Sequence, residues 1–67
     1  MTTEDIHSVL AEIRRLAADG QDEDAHVSED RLYQSVLRAI AAGADNAPAL
    51  AQAALVASEI EYTRWYA

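Results

Sequence analysis

The sequence contains no cysteine, so neither a disulfide framework nor a thiolate metal site is available to brace it. It has no lysine either: every basic residue is an arginine, which together with the abundant alanine points to a GC-rich coding genome rather than to a mechanism. With glycine only at 20 and 43, there is no glycine-rich loop to cradle a phosphate. The opening residues MTTEDIHSVL lack a basic leader, and no stretch approaches the roughly 18 apolar residues that span a bilayer. A soluble, cytoplasmic chain without membrane association is therefore expected. Positive charge is scarce as well. A net charge of −7 repels phosphates and anionic lipid, which removes the electrostatic attraction behind most non-specific DNA binding. Direct binding to nucleic acid is not expected. The 67 residues make one helical domain, 1–67. A domain of that size buries only about 60% of its unfolded surface, so its stability is modest or shared with a partner.

What is present reads as three helices. Over 3–18 the large apolar residues Ile6, Val9, Leu10, Ile13 and Leu16 recur at three and four and share one stripe. Thr2 or Thr3 caps this segment, Glu4 and Asp5 favour its positive end, Arg14 and Arg15 its negative end, and Gly20 stops it. Gln21 to Asp24 offers nothing to bury and reads as a solvated loop. A second helix is expected to begin between Asp24 and Ser28 and to run to Ala42, stopped by Gly43, with Leu32, Tyr33, Val36, Leu37, Ala39 and Ile40 on its inner face. Asp45 and Asn46 are caps for a third helix with Pro48 in its first turn. Carried to Ala67, it is apolar on nearly every side: Ala51, Ala54, Leu55, Tyr62 and Trp65 oppose Ala53, Val56, Ala57 and Ile60. Such a helix belongs at the centre of a bundle or against another chain. The alternation over 60–66 also admits a short strand, but a lone strand has no partner. The expected fold is an all-α bundle of three helices with short connections and a central, alanine-rich C-terminal helix.

Candidate chemistry is sparse. On a helix, His26, Glu29 and Asp30 at i, i+3 and i+4 point the same way and could contribute to a divalent-cation site, but three ligands are too few without His7 brought alongside. The plainer reading is a helix start, with His26 before it and Glu29 at its third position. His7 reads as a boundary residue beside the first apolar stripe. Ser8, Ser28, Ser35 and Ser58 have no neighbouring His–acid set, and a bundle this small leaves little room for a water-excluding pocket. No enzyme, cofactor, resident metal or small-molecule substrate is expected.

Two surface features point to partners. Asp22, Glu23, Asp24, Glu29 and Asp30 form an acidic patch, either a solvated face or a surface for a basic protein, including one whose DNA site it would occupy by mimicry. Tyr62, Arg64, Trp65 and Tyr66 crowd the C-terminus and belong to the residue types enriched at interface hot spots. Alternatively, Tyr62 and Trp65 cap the core while Arg64 pairs an acid such as Glu61 or one from the first loop.

The segments His26–Tyr33, with its His-x-x-Glu-Asp helix start, Val36–Ile40, and Glu59–Ala67, with its Ile-acid-aromatic-x-Arg-Trp ending, resemble a family of small uncharacterised proteins of bacteriophages and prophages, particularly those of actinobacteria. That resemblance covers about two thirds of the chain and implies a setting, a phage accessory protein in a host cytoplasm, with no activity attached. It also suggests that His26, Glu29, Arg64 and Trp65 act together as a polar contact tying the second helix to the C-terminus. The leading expectation is a small acidic, non-enzymatic interaction module that docks an apolar or aromatic helix face on a host protein or on itself, as a homodimer. A DNA-mimic or anti-repressor-like inhibitor is the alternative, and a metal-binding role for His26, Glu29 and Asp30 a remote one.

Overall fold

The computed structural model describes residues 1–64. α1 spans Thr3–Ala18, α2 Asp22–Ala41 and α3 Ala47–Leu55, followed by a short 3-10 turn, Val56–Glu59. All three helices touch one another, most extensively α1 with α2, and no strand is present among the described residues. The architecture is the expected all-α three-helix bundle.

The helix ends follow local chemistry. The Thr2 hydroxyl accepts from the Asp5 amide while the Asp5 carboxylate accepts from the Thr2 amide at 2.8 Å, a reciprocal capping box. Gly20 closes α1 with φ +74: its amide donates to the Ala17 carbonyl, and that of Gln21 donates to the Leu16 carbonyl. Gly43 (φ +94) closes α2 in the same pattern, with bonds to the Ile40 and, through Ala44, the Ala39 carbonyls. Asn46 precedes α3 without a side-chain cap, and Pro48 lies in its first turn.

Ile6, Leu10, Ile13 and Leu16 from α1 meet Ala25, Leu32 and Val36 from α2 and Leu50 and Ala54 from α3, with Ala57 of the 3-10 turn completing the core. Val9, Tyr33, Ala39 and Ile40 pack partly buried against it.

Three expectations are corrected. Helix α2 begins at Asp22, so Asp22, Glu23 and Asp24 are not a loop but the first turn, where carboxylates favour the helix dipole. His26 and Glu29 accordingly lie inside the helix. The third helix does not run to the C-terminus: it ends at Leu55, and beyond Glu59 the backbone turns extended at Ile60 (φ −73, ψ 125). The Ser58 hydroxyl donates to the Leu55 carbonyl at 2.7 Å, a local bond that competes with helix continuation, and β-branched Val56, Ile60 and Thr63 add little helix propensity. Finally, Leu37, expected on the inner face of α2, is 65% exposed, because the alanines that α3 turns toward α2 are too small to cover it; Leu55, at the end of α3, is 63% exposed.

Apart from the adjoining residues, nothing lies within 4 Å of a Cβ added at Gly20 or Gly43, so the cost of alanine there comes from the left-handed backbone rather than from a clash with a packed neighbour. Gly20→Ala and Gly43→Ala are each expected to destabilise by about 1 kcal/mol, read as a lower urea midpoint with unchanged slope.

A buried carboxylate and an apolar groove as the candidate functional site

Ala25, Glu29, Leu32 and Val36 recur along α2 at i, i+4, i+7 and i+11, a core stripe in which one member is a carboxylate. Glu29 is 6% exposed and the only buried charged residue among those described. Its Oε2 accepts from the Tyr33 hydroxyl at 2.8 Å, one turn along the same helix. Its Oε1 accepts from the Tyr62 hydroxyl and from Arg64, whose Nη2 lies at 2.8 Å and Nε at 3.2 Å. Arg64 Nη2 also donates to the Ala57 carbonyl at 3.0 Å, and its guanidinium lies 4.0 Å from the centre of the Tyr62 ring. Tyr62 and Arg64, two residues apart, reach one oxygen from a non-helical segment that bends at Tyr62, whereas on a helix they would diverge by about 160°.

The electrostatics follow from these contacts. Burial works to raise the Glu29 pKa, but the hydrogen bonds from Tyr62, Tyr33 and Arg64, with the guanidinium charge, outweigh it and hold the carboxyl below its ordinary 4.5. The Tyr33 phenol is pushed up to about 12 by its burial and by the carboxylate beside it. Tyr62 is raised for the same reasons.

The expected site residues divide. Glu29 and Arg64 do meet, tying α2 to the C-terminal segment as the resemblance suggests, so Arg64 pairs with Glu29 rather than Glu61. His26 lies against Asp30, Nε2 to Oδ2 3.5 Å. Tyr62 and Arg64 are spent inside the fold, while Trp65 and Tyr66 lie outside the described residues. The acidic patch loses Glu29 to the interior, with Glu23, Asp24 and Asp30 exposed and Asp22 half-buried. His7 is exposed, and among the described residues no three His, Asp or Glu side chains converge as a metal site would require.

Sequence reasoning missed the buried position of Glu29, although its place between Ala25 and Leu32 on the stripe was a readable signal. It also missed a groove. Between α2 and α3, Tyr33, Val36, Leu37, Ile40, Ala51, Ala54 and Leu55 line a hollow of about 460 Å³ with Leu37 and Leu55 on opposite walls. Its wall at Tyr33 adjoins the Glu29 cluster. A second hollow between α1 and α2, about 350 Å³, has a mixed lining that includes Ser8, Glu12, Ser28 and Arg31.

Glu29→Gln keeps the shape but strands the partly buried Arg64 charge, and is expected to cost about 2 kcal/mol at neutral pH by chemical denaturation. Arg64→Gln should behave similarly, with the double variant losing less than the sum of the two. Since the folded pKa of Glu29 lies below its unfolded value, the stability it contributes is complete above pH 4.5 and is lost as the pH falls through and below it. Glu29→Gln should flatten that acid limb. The tyrosines act in the opposite sense: the stability contributed by Tyr33 is complete below pH 10 and lost as the pH climbs to about 12. Tyr33→Phe should remove part of that alkaline loss.

No known protein family, curated protein or solved structure matches this chain, so its function is argued from the groove and the carboxylate cluster beside it.

Proposed function

We propose that this protein is a small, acidic, non-enzymatic interaction module that docks another protein, or a second copy of itself, through the groove between α2 and α3. One observation carries the reading: two leucines, 65% and 63% exposed, stand on opposite walls of an apolar groove in a chain whose other large aliphatic side chains, Met1 and Val27 apart, are buried or partly covered. Leaving both in water forgoes about 1.5–3 kcal/mol each, which contact with a partner would recover. A groove between two helices is a common seat for an amphipathic helix. In the setting that the phage resemblance implies, the partner is a host protein and the role that of an accessory factor.

Catalysis is less well supported. The buried carboxylate is held ionised and both its oxygens are occupied, the reverse of a general acid or base poised near neutral pH. Mimicry of DNA is also less well supported, since Glu29 is withdrawn from the acidic surface and Arg31 and Arg38 are exposed along the same helix.

The test is a paired substitution. Leu37→Glu and Leu55→Glu alter exposed positions, so the melting temperature should change little. Affinity capture from an actinobacterial lysate in high salt should retain a discrete host protein with the native chain and lose it with either variant. Equal capture by native and variant chains would rule out the groove as the docking surface.

A further inference from the structure

We propose that the occupant of the groove is a basic amphipathic helix of a partner protein, carrying large apolar side chains at i, i+4 and i+7 and arginine or lysine at both ends. This rests on the docking reading above and names its partner by chemistry.

The groove sets the apolar spacing. Its α2 wall runs from Tyr33 to Ile40, about 10 Å at the rise of a helix, the length over which a facing helix presents residues i to i+7. The inner residues of the α3 wall, Ala51 and Ala54, leave the depth that large partner side chains would fill.

The rim sets the charge. Helix α3, APALAQAAL, carries no charged side chain. On α2, at about 100° per residue, Asp30 lies within about 20° of Leu37 on the groove side, whereas Arg38 and Arg31 point 100° or more away, toward the outer face. Exposed Glu59 follows Leu55 by four residues, and the chain just beyond it returns to Glu29, so Glu59 belongs to the same end as Tyr33 and Asp30. At the other end, exposed Asp45 sits in the turn joining α2 to α3. Of the basic groups near that first end, Arg64 already faces Glu29 and His26 lies against Asp30. An apolar channel with carboxylates at both ends and its arginines turned away complements a helix that is greasy in the middle and basic at its tips.

A second copy fits less well: each chain carries −7, and a face-to-face pairing of the two leucine walls would bring like-charged surfaces together whichever way the copies run.

The experiment titrates the full-length chain into two labelled synthetic helices with identical leucines at i, i+4 and i+7, one ended by arginine and one by glutamate, read by fluorescence anisotropy. The arginine-ended helix should bind about tenfold more tightly at low salt, with the gap narrowing as salt rises. Asp30→Asn combined with Glu59→Gln, both exposed positions, should close most of that gap, and Leu55→Glu should abolish binding of both helices, with circular dichroism confirming that the variants remain folded. Equal binding of the two helices would overturn the charge requirement and leave groove docking in place. Binding of neither, with partner capture still dependent on Leu37 and Leu55, would overturn the basic helix alone. Binding of neither, with capture indifferent to both leucines, would overturn both readings. A concentration-dependent dimer in sedimentation that Leu55→Glu dissolves would make the occupant a second copy and overturn the proposal.

Discussion

A carboxylate taken out of water must find a counter-charge and hydrogen-bond donors, or the helix that carries it cannot pack. Glu29 meets that condition with two phenols and a guanidinium, and none of the three is incidental to the fold. Tyr33 arrives at no cost in chain geometry, one turn along α2. Tyr62 and Arg64 have to be brought from beyond α3, and one non-helical segment delivers both to a single oxygen. Since a buried ion pair contributes little net stability over an apolar pair of the same shape, the value of this one lies in what it specifies. It fixes the path of the C-terminal segment by holding Tyr62 and Arg64 to one oxygen.

That path shapes the opposite side of the molecule. Had the third helix continued, Tyr62 would have shared the face of Leu55 while Ile60 fell on the opposite side, and Tyr62 and Arg64 would have diverged instead of meeting at Glu29. Instead the chain tightens into a 3-10 turn after Leu55, leaves helical geometry after Glu59 and turns toward Glu29, so α3 stays short, and the residues it presents to α2 are mainly alanine. The groove is the space those alanines do not fill. The polar cluster and the apolar hollow are thus two outcomes of one chain reversal, sharing Tyr33 as a common wall.

Much of this was legible in the sequence. The apolar stripe of α1, the glycine stops at 20 and 43 and Pro48 in the first turn of α3 all follow from local rules, and the structure keeps each of them. The errors share a cause. Asp22 to Asp24 looked like a loop because charge was weighed over position in a first turn. The third helix looked long because alanine and a 3.6-residue period favour helix through Ala57, and nothing local announces that Tyr62 and Arg64 are wanted by a residue more than thirty positions earlier. Glu29 was taken for surface because carboxylates usually are, although its stripe said otherwise. The Glu29–Arg64 link came from a motif resemblance, not from periodicity.

The span of that link bears on the order in which the protein comes together. The other ion pairs among the described residues join partners three or four positions apart on one helix, while Glu29 and Arg64 are separated by 35. During synthesis from the N-terminus, α1 and α2 can pair soon after Ala41 is made, but at that stage the inner stripe of α2 holds an ion whose counter-charge has yet to be translated. Closing so long a loop is entropically unfavourable and slow relative to forming local helical contacts. An α1–α2 hairpin on its own would carry a buried carboxylate without its guanidinium, so the core around Glu29 is complete only when residue 64 is in place.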